Sequence, residues 1–297
     1  MCLLQNLLLI ELQTTIAQNY VRRLTGITVF AGIDFVRQLL DKVRLYLELQ
    51  ESNGGKYRPI AKVVRFAEAA WWRVRGYRII ECFGDSHAAI FRHINSCCRS
   101  HKERFRVTSI RGATVHGMGN PNSKTNAMRI FTDQLSHIPT TRTVLFIMGE
   151  VDIGFLIWLK AQERQSQPES HLEEAFDRYS EFLDGVLVNH RHLIVTAAPL
   201  PTIPDGVVHG DVANARSVIK ASQKERTMAT LRFNGKVRNW ASKRNVLFID
   251  LDAVCLDPQT QMVKSLLINK NSSDHHYDTD AFVAIMYTEL RKCKVIE

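Results

Sequence analysis

The sequence predicts a protein of the α/β class, in which helices cover both faces of a mostly parallel sheet of five strands. Five short apolar segments alternate with longer segments of helical periodicity over residues 77–297. The apolar segments are hydrophobic almost without interruption, which is typical of strands buried on both faces in a parallel sheet. The five strands are expected at residues 79–83, 105–110, 143–148, 192–198 and 246–251.

The segments between the strands predict the helical layers. Apolar residues recur there at intervals of three and four, with charged or polar residues between them. Helices are expected at about 88–98, 127–135, 155–162, 172–188, 212–243 and 279–292.

Residues 1–76 are expected to form a helical N-terminal extension ahead of the α/β domain, which spans residues 77–297. Two segments of helical periodicity, at 36–47 and 63–74, are separated by the sequence Ser-Asn-Gly-Gly at 52–55, and such a sequence breaks helices. A helical extension packed on the main domain is the simpler interpretation. The alternative is an element that docks a partner or lies on a membrane surface.

The composition is that of an ordinary soluble globular protein, with 45% hydrophobic and 23% charged residues in a chain of 297. No stretch approaches the roughly 20 uninterrupted apolar residues of a membrane span. The first residues lack the basic start and the cleavage site of a signal peptide. The six cysteines follow neither a metal-binding nor a disulfide spacing, so we expect free thiols and a cytoplasmic location.

The net charge of +9 is concentrated in the first half of the chain. Residues 1–140 contain 20 Lys and Arg against 10 Asp and Glu, whereas residues 141–297 contain 19 against 20. A basic half can bind an anionic partner, such as nucleic acid, an acidic glycan or a membrane surface on which the protein would lie peripherally. Because the charges are scattered, a solvated face is the simpler interpretation. No nucleic-acid-binding motif is present, so no nucleic-acid partner is expected.

The first predicted strand ends in the sequence Gly84-Asp85-Ser86, which predicts a tight turn into a helix. A serine at this point lies at the carboxyl edge of the sheet, where open α/β folds bind ligands. The backbone N–H groups of the new helix face the same place and favour negative charge. This arrangement suits a nucleophile whose reaction develops an oxyanion. The plainer interpretation is a serine that only caps the helix.

The C-terminal region supplies the other groups that a serine hydrolase needs, namely a base, a carboxylate to orient it and donors for the oxyanion. His276 or His275 can act as the base, and Asp274 can orient it. Gly112 can bring a backbone N–H close to the substrate, because it has no side chain in the way. Such chemistry needs no metal or organic cofactor. A histidine pair is otherwise often a surface feature or an incidental metal site.

Four short blocks of the sequence, spread over residues 77–293, resemble the ordered blocks of the SGNH/GDSL hydrolases. They are FGDSH at 83–87, IRGAT at 110–114, GEVD at 149–152 and DHHY at 274–277. The resemblance implies a flavodoxin-like, three-layer α/β/α sandwich with esterase activity. It places the catalytic serine on Ser86, the second-block glycine on Gly112 with Gly117 as the fallback, and the histidine on His276 or His275. The GEVD block and the glycine-rich loop look similar to bacterial SGNH-like proteins associated with surface glycans.

The chain departs from the pattern of this family in two blocks. The third block is normally Gly-x-Asn-Asp, whereas Gly149, Glu150 and Asp152 here surround Val151, whose side chain can donate no hydrogen bond. Losing such a donor typically costs about 3 kcal/mol of transition-state stabilisation; Asn120 or Asn122 could replace it. The fourth block is normally Asp-x-x-His, whereas Asp274 is two residues before His276 and one before His275.

These observations predict an ester hydrolase that acts on a small O-acyl ester through an acyl-enzyme on Ser86. A short acyl group on a carbohydrate is the preferred substrate, and an O-acyltransferase would use the same site. The alternative is a catalytically silent SGNH-like module that binds a glycan or a protein partner, which Val151 and the shortened fourth block favour.

Overall fold

The computed structural model describes residues 71–97, 102–120, 122–206, 217–271 and 274–297. Residues Gly76–Glu297 form one compact unit. The predicted N-terminal helical extension lies almost entirely outside the described residues. Among the residues that are described, no helix is long and apolar enough to cross a membrane. The four cysteines within these ranges, Cys82, Cys97, Cys255 and Cys293, are all unpaired.

Five parallel strands form the sheet, in the order β2-β1-β3-β4-β5. The strands are β1 (Arg78–Gly84), β2 (Glu103–Ser109), β3 (Thr143–Ile147), β4 (Leu193–Thr196) and β5 (Leu247–Ile249). The predicted fold class is confirmed, because all five expected strands form and all pair in parallel. The strand order reverses between β1 and β3, and open α/β sheets bind ligands at the carboxyl ends of the strands at such a point.

Helices cover both faces of the sheet. They are α1 (Ile90–Cys97), α2 (Val115–Met118), α3 (Ala127–Ser136), α4 (Ile157–Arg164), α5 (Pro168–Asn189), α6 (Gln223–Lys243), α7 (Asp252–Cys255) and α8 (Thr279–Lys292). Buried side chains of α2 to α6 form one hydrophobic cluster with the sheet, and those of α1, α7 and α8 form a second. Two cores separated by one sheet define a three-layer α/β/α sandwich.

A partly buried ion pair between Glu81 and Arg106 joins β1 to β2. Glu81 is 2% exposed and lies opposite Arg106 in the strand register. Two nitrogens of the Arg106 guanidinium donate to the Glu81 carboxylate, Nε to Oε2 and Nη2 to Oε1, each at 2.6 Å. Two-pronged bonding of this kind supplies the partners that a buried charge requires.

Glycine is required at position 84 because there is no room for a side chain, and not because the backbone has a conformation that only glycine adopts. A Cβ at this position would lie 2.1 Å from the carbonyl oxygen of Ile147 and 2.9 Å from its Cγ2. Its φ is not in the left-handed region, so the backbone conformation at this corner does not itself demand glycine. The neighbouring strand β3 simply passes too close for any side chain.

We therefore expect Gly84→Ala to destabilise the fold by about 3 kcal/mol, at the upper end of the cost of overpacking a core. Gly185→Ala is the matched control, because Gly185 is exposed on α5 and a Cβ added there would have no atom within 4 Å. Alanine there should stabilise the helix by roughly 0.5–1 kcal/mol. Urea denaturation of both variants measures the difference, and equal stabilities would contradict the steric argument.

Candidate active site

Ser86 is the first residue after the turn that ends β1, and it opens a short 3₁₀ helix, Ser86–Ala89, that runs directly into α1. The side chain of Asp85 caps this helix by accepting a hydrogen bond from the backbone N–H of His87, at 2.8 Å. The hydroxyl of Ser109, at the end of β2, donates to the carbonyl oxygen of Asp85 at 2.8 Å. The turn that carries Ser86 is thus held by its own cap and by the adjacent strand.

Ser86 lines a cavity of about 270 Å³ at the carboxyl edge of the sheet. Asp274 and His276 line the same cavity, although they are far from Ser86 in the sequence. The lining also contains two arginines, Arg92 and Arg111. Its remaining residues are His87, Ala89, Ile90, His93, Ser109, Tyr277, Thr279 and Phe282. The structure therefore brings together the predicted serine, carboxylate and one of the two predicted histidines.

Asp274 and His276 form a hydrogen-bonded pair despite the shortened spacing between them. Oδ1 of Asp274 lies 2.6 Å from Nδ1 of His276 and accepts from the backbone N–H of the same residue at 3.0 Å. The hydrogen bond from the His276 side chain is the main reason that the pKa of Asp274 falls to about 2. An ionised carboxylate can only accept, so in the neutral imidazole of His276 the proton is on Nδ1 and Nε2 presents a lone pair.

Nε2 of His276 is buried and has no hydrogen-bond partner in the described part of the chain. The hydroxyl of Ser86 shares its cavity but is not bonded to it in this conformation. Catalytic hydrogen bonds are often long or misaligned without substrate. The histidine is therefore in the tautomer that could take a proton from Ser86, with the accepting atom shielded from bulk water.

His275 has a different environment from His276. The hydroxyl of Thr202 donates to the backbone carbonyl of His275, and the His275 ring lies 4.0 Å from the His276 ring between centroids. His275 is not among the residues that line the cavity with Ser86 in the described part of the structure. Of the two candidate bases, His276 has the geometry expected of the base.

A second Asp-x-His pair, Asp85 and His87, adjoins the first. Oδ1 of Asp85 lies 3.0 Å from Nδ1 of His87 and also accepts from its backbone N–H, as Asp274 does for His276. The two imidazole rings lie 4.8 Å apart between centroids, and the side chain of His87 is only 3% exposed. The repeated Asp-x-His spacing, at 85–87 and 274–276, was the signal that could have found this pair.

Apart from Ser86, the candidate oxyanion residues lie between β2 and α3. Gly112 has a φ of +70°, which favours glycine. The N–H of Gly117 donates to the hydroxyl and carbonyl oxygens of Thr114, so it is already engaged. Asn120 is exposed and its Oδ1 accepts from the backbone of Asn122. None of these residues belongs to the lining of the described Ser86 cavity. Of the three, only Gly112 has a backbone N–H with no hydrogen-bond partner among the described residues.

Asp152 of the third block stabilises the segment that directly follows the second block. Asp152 is fully buried and accepts from the backbone N–H groups of Val115 and His116, at 2.7 and 3.1 Å, and lies 2.9 Å from Nδ1 of His116. Glu150 is also buried, and Gly149 has a φ of +116° with Phe233 packed against it. In this chain Asp152 therefore positions the loop that carries the candidate oxyanion residues.

The strand order, the serine turn after β1 and the Asp-His pair before the last helix all belong to one three-layer α/β/α domain. The chain matches no protein-family model and no curated protein. Solved structures do match it in fold. A protein from Streptococcus pneumonia described as a platelet activating factor aligns with a TM-score of 0.50 and 13% identity, over 84% of this chain and 97% of that chain.

Two further solved structures show similar values. A GDSL-like lipase from Bacteroides thetaiotaomicron has a TM-score of 0.48 and 13% identity, over 77% of this chain and 97% of that chain. An acetyl xylan esterase from Geobacillus stearothermophilus has a TM-score of 0.46 and 14% identity, over 73% of this chain and 94% of that chain. A GDSL-like lipase is thus among the neighbours, as the resemblance in sequence led us to expect, and at 13–14% identity the likeness concerns the fold alone.

Proposed function

We propose that the protein is a serine ester hydrolase with Ser86 as nucleophile, His276 as general base and Asp274 as the group that orients it. The observation that carries this proposal is the cavity shared by Ser86 and a histidine whose tautomer is fixed by a carboxylate at 2.6 Å. A nucleophile, a base and an orienting group in one concave site are the three parts of a serine hydrolase. The neighbours in fold include a lipase and an acetyl xylan esterase.

The proposed reaction has two halves. Oγ of Ser86 attacks the acyl carbonyl while Nε2 of His276 takes the hydroxyl proton, and a tetrahedral oxyanion forms. The intermediate collapses to an acyl-enzyme, and His276 gives the proton to the departing alcohol. Water then attacks the acyl-enzyme with the same base, which releases the carboxylic acid and restores Ser86. A sugar hydroxyl in place of water would make the site an O-acyltransferase.

The backbone N–H groups of Ser86 and Gly112 are the proposed oxyanion donors. The first N–H groups of a helix have no partner within the helix, so that of Ser86 is suited to this role. Val151 supplies no side-chain donor at the third block. We therefore expect a chemical step on the order of a hundredfold slower than with a complete set of donors.

A short O-acyl ester, with a carbohydrate as the alcohol, is the substrate class that we propose. The cavity of about 270 Å³ lies at the small end of ligand sites, which favours an acyl group of few carbons. Arg92 and Arg111 on its lining could hydrogen-bond polar or anionic groups of a glycan. The unpaired cysteines fit a cytoplasmic setting.

Fluorophosphonate labelling of the purified full-length protein, read by intact mass, tests this proposal. An activated serine should be labelled to about one equivalent, and acetylated sugars should then be hydrolysed with release of acetate. Absence of both labelling and hydrolysis in folded protein would contradict the hydrolase proposal. It would favour the alternative of a silent binding module, which a screen for glycan binding would then address.

A further inference from the structure

A second cluster of ionisable side chains lies outside the cavity that holds Ser86. It consists of His116 on α2 and of His171 and Glu174 on α5. His171 and Glu174 are three residues apart on one helix, so their side chains share a face. His116 and His171 are each 5% exposed. The proposed hydrolase mechanism uses none of the three.

The distances within this cluster fit a metal ion better than direct hydrogen bonds. Oε2 of Glu174 lies 3.6 Å from Nε2 of His116 and 3.6 Å from Nδ1 of His171. Hydrogen bonds between such atoms are usually about 2.7–3.2 Å long. Four ligands at about 2.0–2.1 Å from a tetrahedral Zn²⁺ are about 3.4 Å from each other. The three ligand atoms all lie within 4.8 Å of one another.

Both histidines have an outer partner on the ring nitrogen that points away from the cluster. Asp152 lies 2.9 Å from Nδ1 of His116, and Oγ of Ser166 lies 2.8 Å from Nε2 of His171. Metal-binding histidines in proteins nearly always have such a partner, which fixes the tautomer and frees the other nitrogen. Nε2 of His116 is fully buried, and no described residue accepts or donates a hydrogen bond there.

We propose that His116, His171 and Glu174 bind one divalent transition-metal ion, with Zn²⁺ as the best fit to two imidazoles and a carboxylate. The ion would join α2 to α5 and so fix the loop that contains Gly112, leaving a fourth coordination position for water. This site is independent of the ester hydrolase proposal, which requires no metal.

Two cationic side chains, Arg178 and Lys160, lie beside Glu174 and affect how strongly the proposed site binds an ion. Arg178 donates to Oε1 at 2.7 Å, on the oxygen that does not face the histidines, and also to the carbonyl oxygen of His116 at 2.9 Å. Lys160 is closer to the proposed ion, with Nζ 3.9 Å from Oε2. The Lys160 ammonium balances the carboxylate when the site is empty, so it competes with the ion. Lys160→Met should therefore raise the affinity for Zn²⁺, by roughly tenfold for a like charge at this range.

The test uses the full-length chain without a polyhistidine tag, stripped with a chelator and titrated with Zn²⁺ and separately with Co²⁺. We expect one equivalent of tight binding, a rise in Tm with Zn²⁺ concentration and an intense visible Co²⁺ spectrum typical of a four-coordinate ion. Glu174→Gln and His171→Ala should each weaken binding at least a hundredfold. Glu174 is partly exposed, so its variant should fold even if His116→Ala does not.

The double variant H275A/H276A is the matched control, because Asp274, His275 and His276 form the other group of potential ligands in the described residues. Its Zn²⁺ affinity should equal that of the wild type. Loss of binding in this variant, or unchanged binding in Glu174→Gln and His171→Ala, would overturn the proposed site. Failure of wild-type protein to bind either metal would overturn it as well.

Discussion

Ser86→Ala will remove ester hydrolysis, with a loss in kcat of about 10³-fold or more, since loss of the nucleophile in a serine hydrolase leaves only binding and oxyanion stabilisation. The side chain of Ser86 forms no hydrogen bond that the fold depends on in the described residues, and the turn is held instead by Asp85 and Ser109. The variant should therefore keep the stability of the wild type. Initial rates on an acetylated sugar, together with a urea denaturation curve, measure both properties.

Ser180→Ala is the matched control for this experiment. Ser180 is a serine on α5 whose hydroxyl donates only to the carbonyl oxygen of Asp177, one turn earlier. It should keep full activity and full labelling by the fluorophosphonate. Hydrolysis that survives in Ser86→Ala at near wild-type rate would mean that another group attacks the ester, and the assignment of the nucleophile would be wrong.

His276→Ala should lose a similar factor, about 10³-fold in kcat, whereas His275→Ala should stay within a few-fold of wild type. Only His276 has its ring fixed by Asp274, at 2.6 Å, and only His276 of this pair lines the cavity with Ser86. Members of a catalytic triad act as a unit, so the double variant S86A/H276A should be no slower than Ser86→Ala alone. Rates of these four variants on one ester decide the assignment.

The opposite order of activity losses in the two single histidine variants is also informative. A large loss in His275→Ala with retention in His276→Ala would move the base to His275, whose ring lies beside that of His276 at 4.0 Å between centroids. Retention in both single variants would leave His87, the other histidine packed against His276, as the group to replace next. Either result would alter the proposed mechanism while leaving the fold assignment unchanged.

The sheet could be predicted from the sequence because its strands are buried on both faces. Such strands must be apolar at almost every position, and this signal is stronger than the alternating pattern of a half-exposed strand. All five form, with boundaries within a few residues of those expected. The last helix, Thr279–Lys292, also has its expected limits.

The helix limits were predicted less well where local capping decides them. Residues 212–216 of the helix expected at 212–243 lie outside the described part of the chain. Within the described part, the helix begins at Gln223, because Ser222 and Glu225 form a reciprocal capping box that starts a helix there. The helix expected from residue 155 is preceded by π-helical backbone over Asp152–Leu156. Periodicity alone did not distinguish this segment from an ordinary helix turn.

The Ser86 side of the site was predictable because its parts lie in short blocks whose order is informative. The second cluster was not, because its ligands come from α2 and α5, which are distant in sequence and meet only through packing. The two residues on α5, His171 and Glu174, have a helical spacing that is common on any surface helix. The burial of His116 and its contact with Asp152 depend on the whole fold.

The ion pair between Glu81 and Arg106 has a consequence for the alignment of the strands. A shift of β1 by one residue against β2 would move Ser86 by about 3.3 Å and would turn every side chain of the strand to the opposite face. It would also separate a buried carboxylate from its guanidinium, which is among the most costly errors a core can contain. These two charges therefore make one alignment of the strands far more favourable than its neighbours, and that alignment sets the position of Ser86 at the far end of β1.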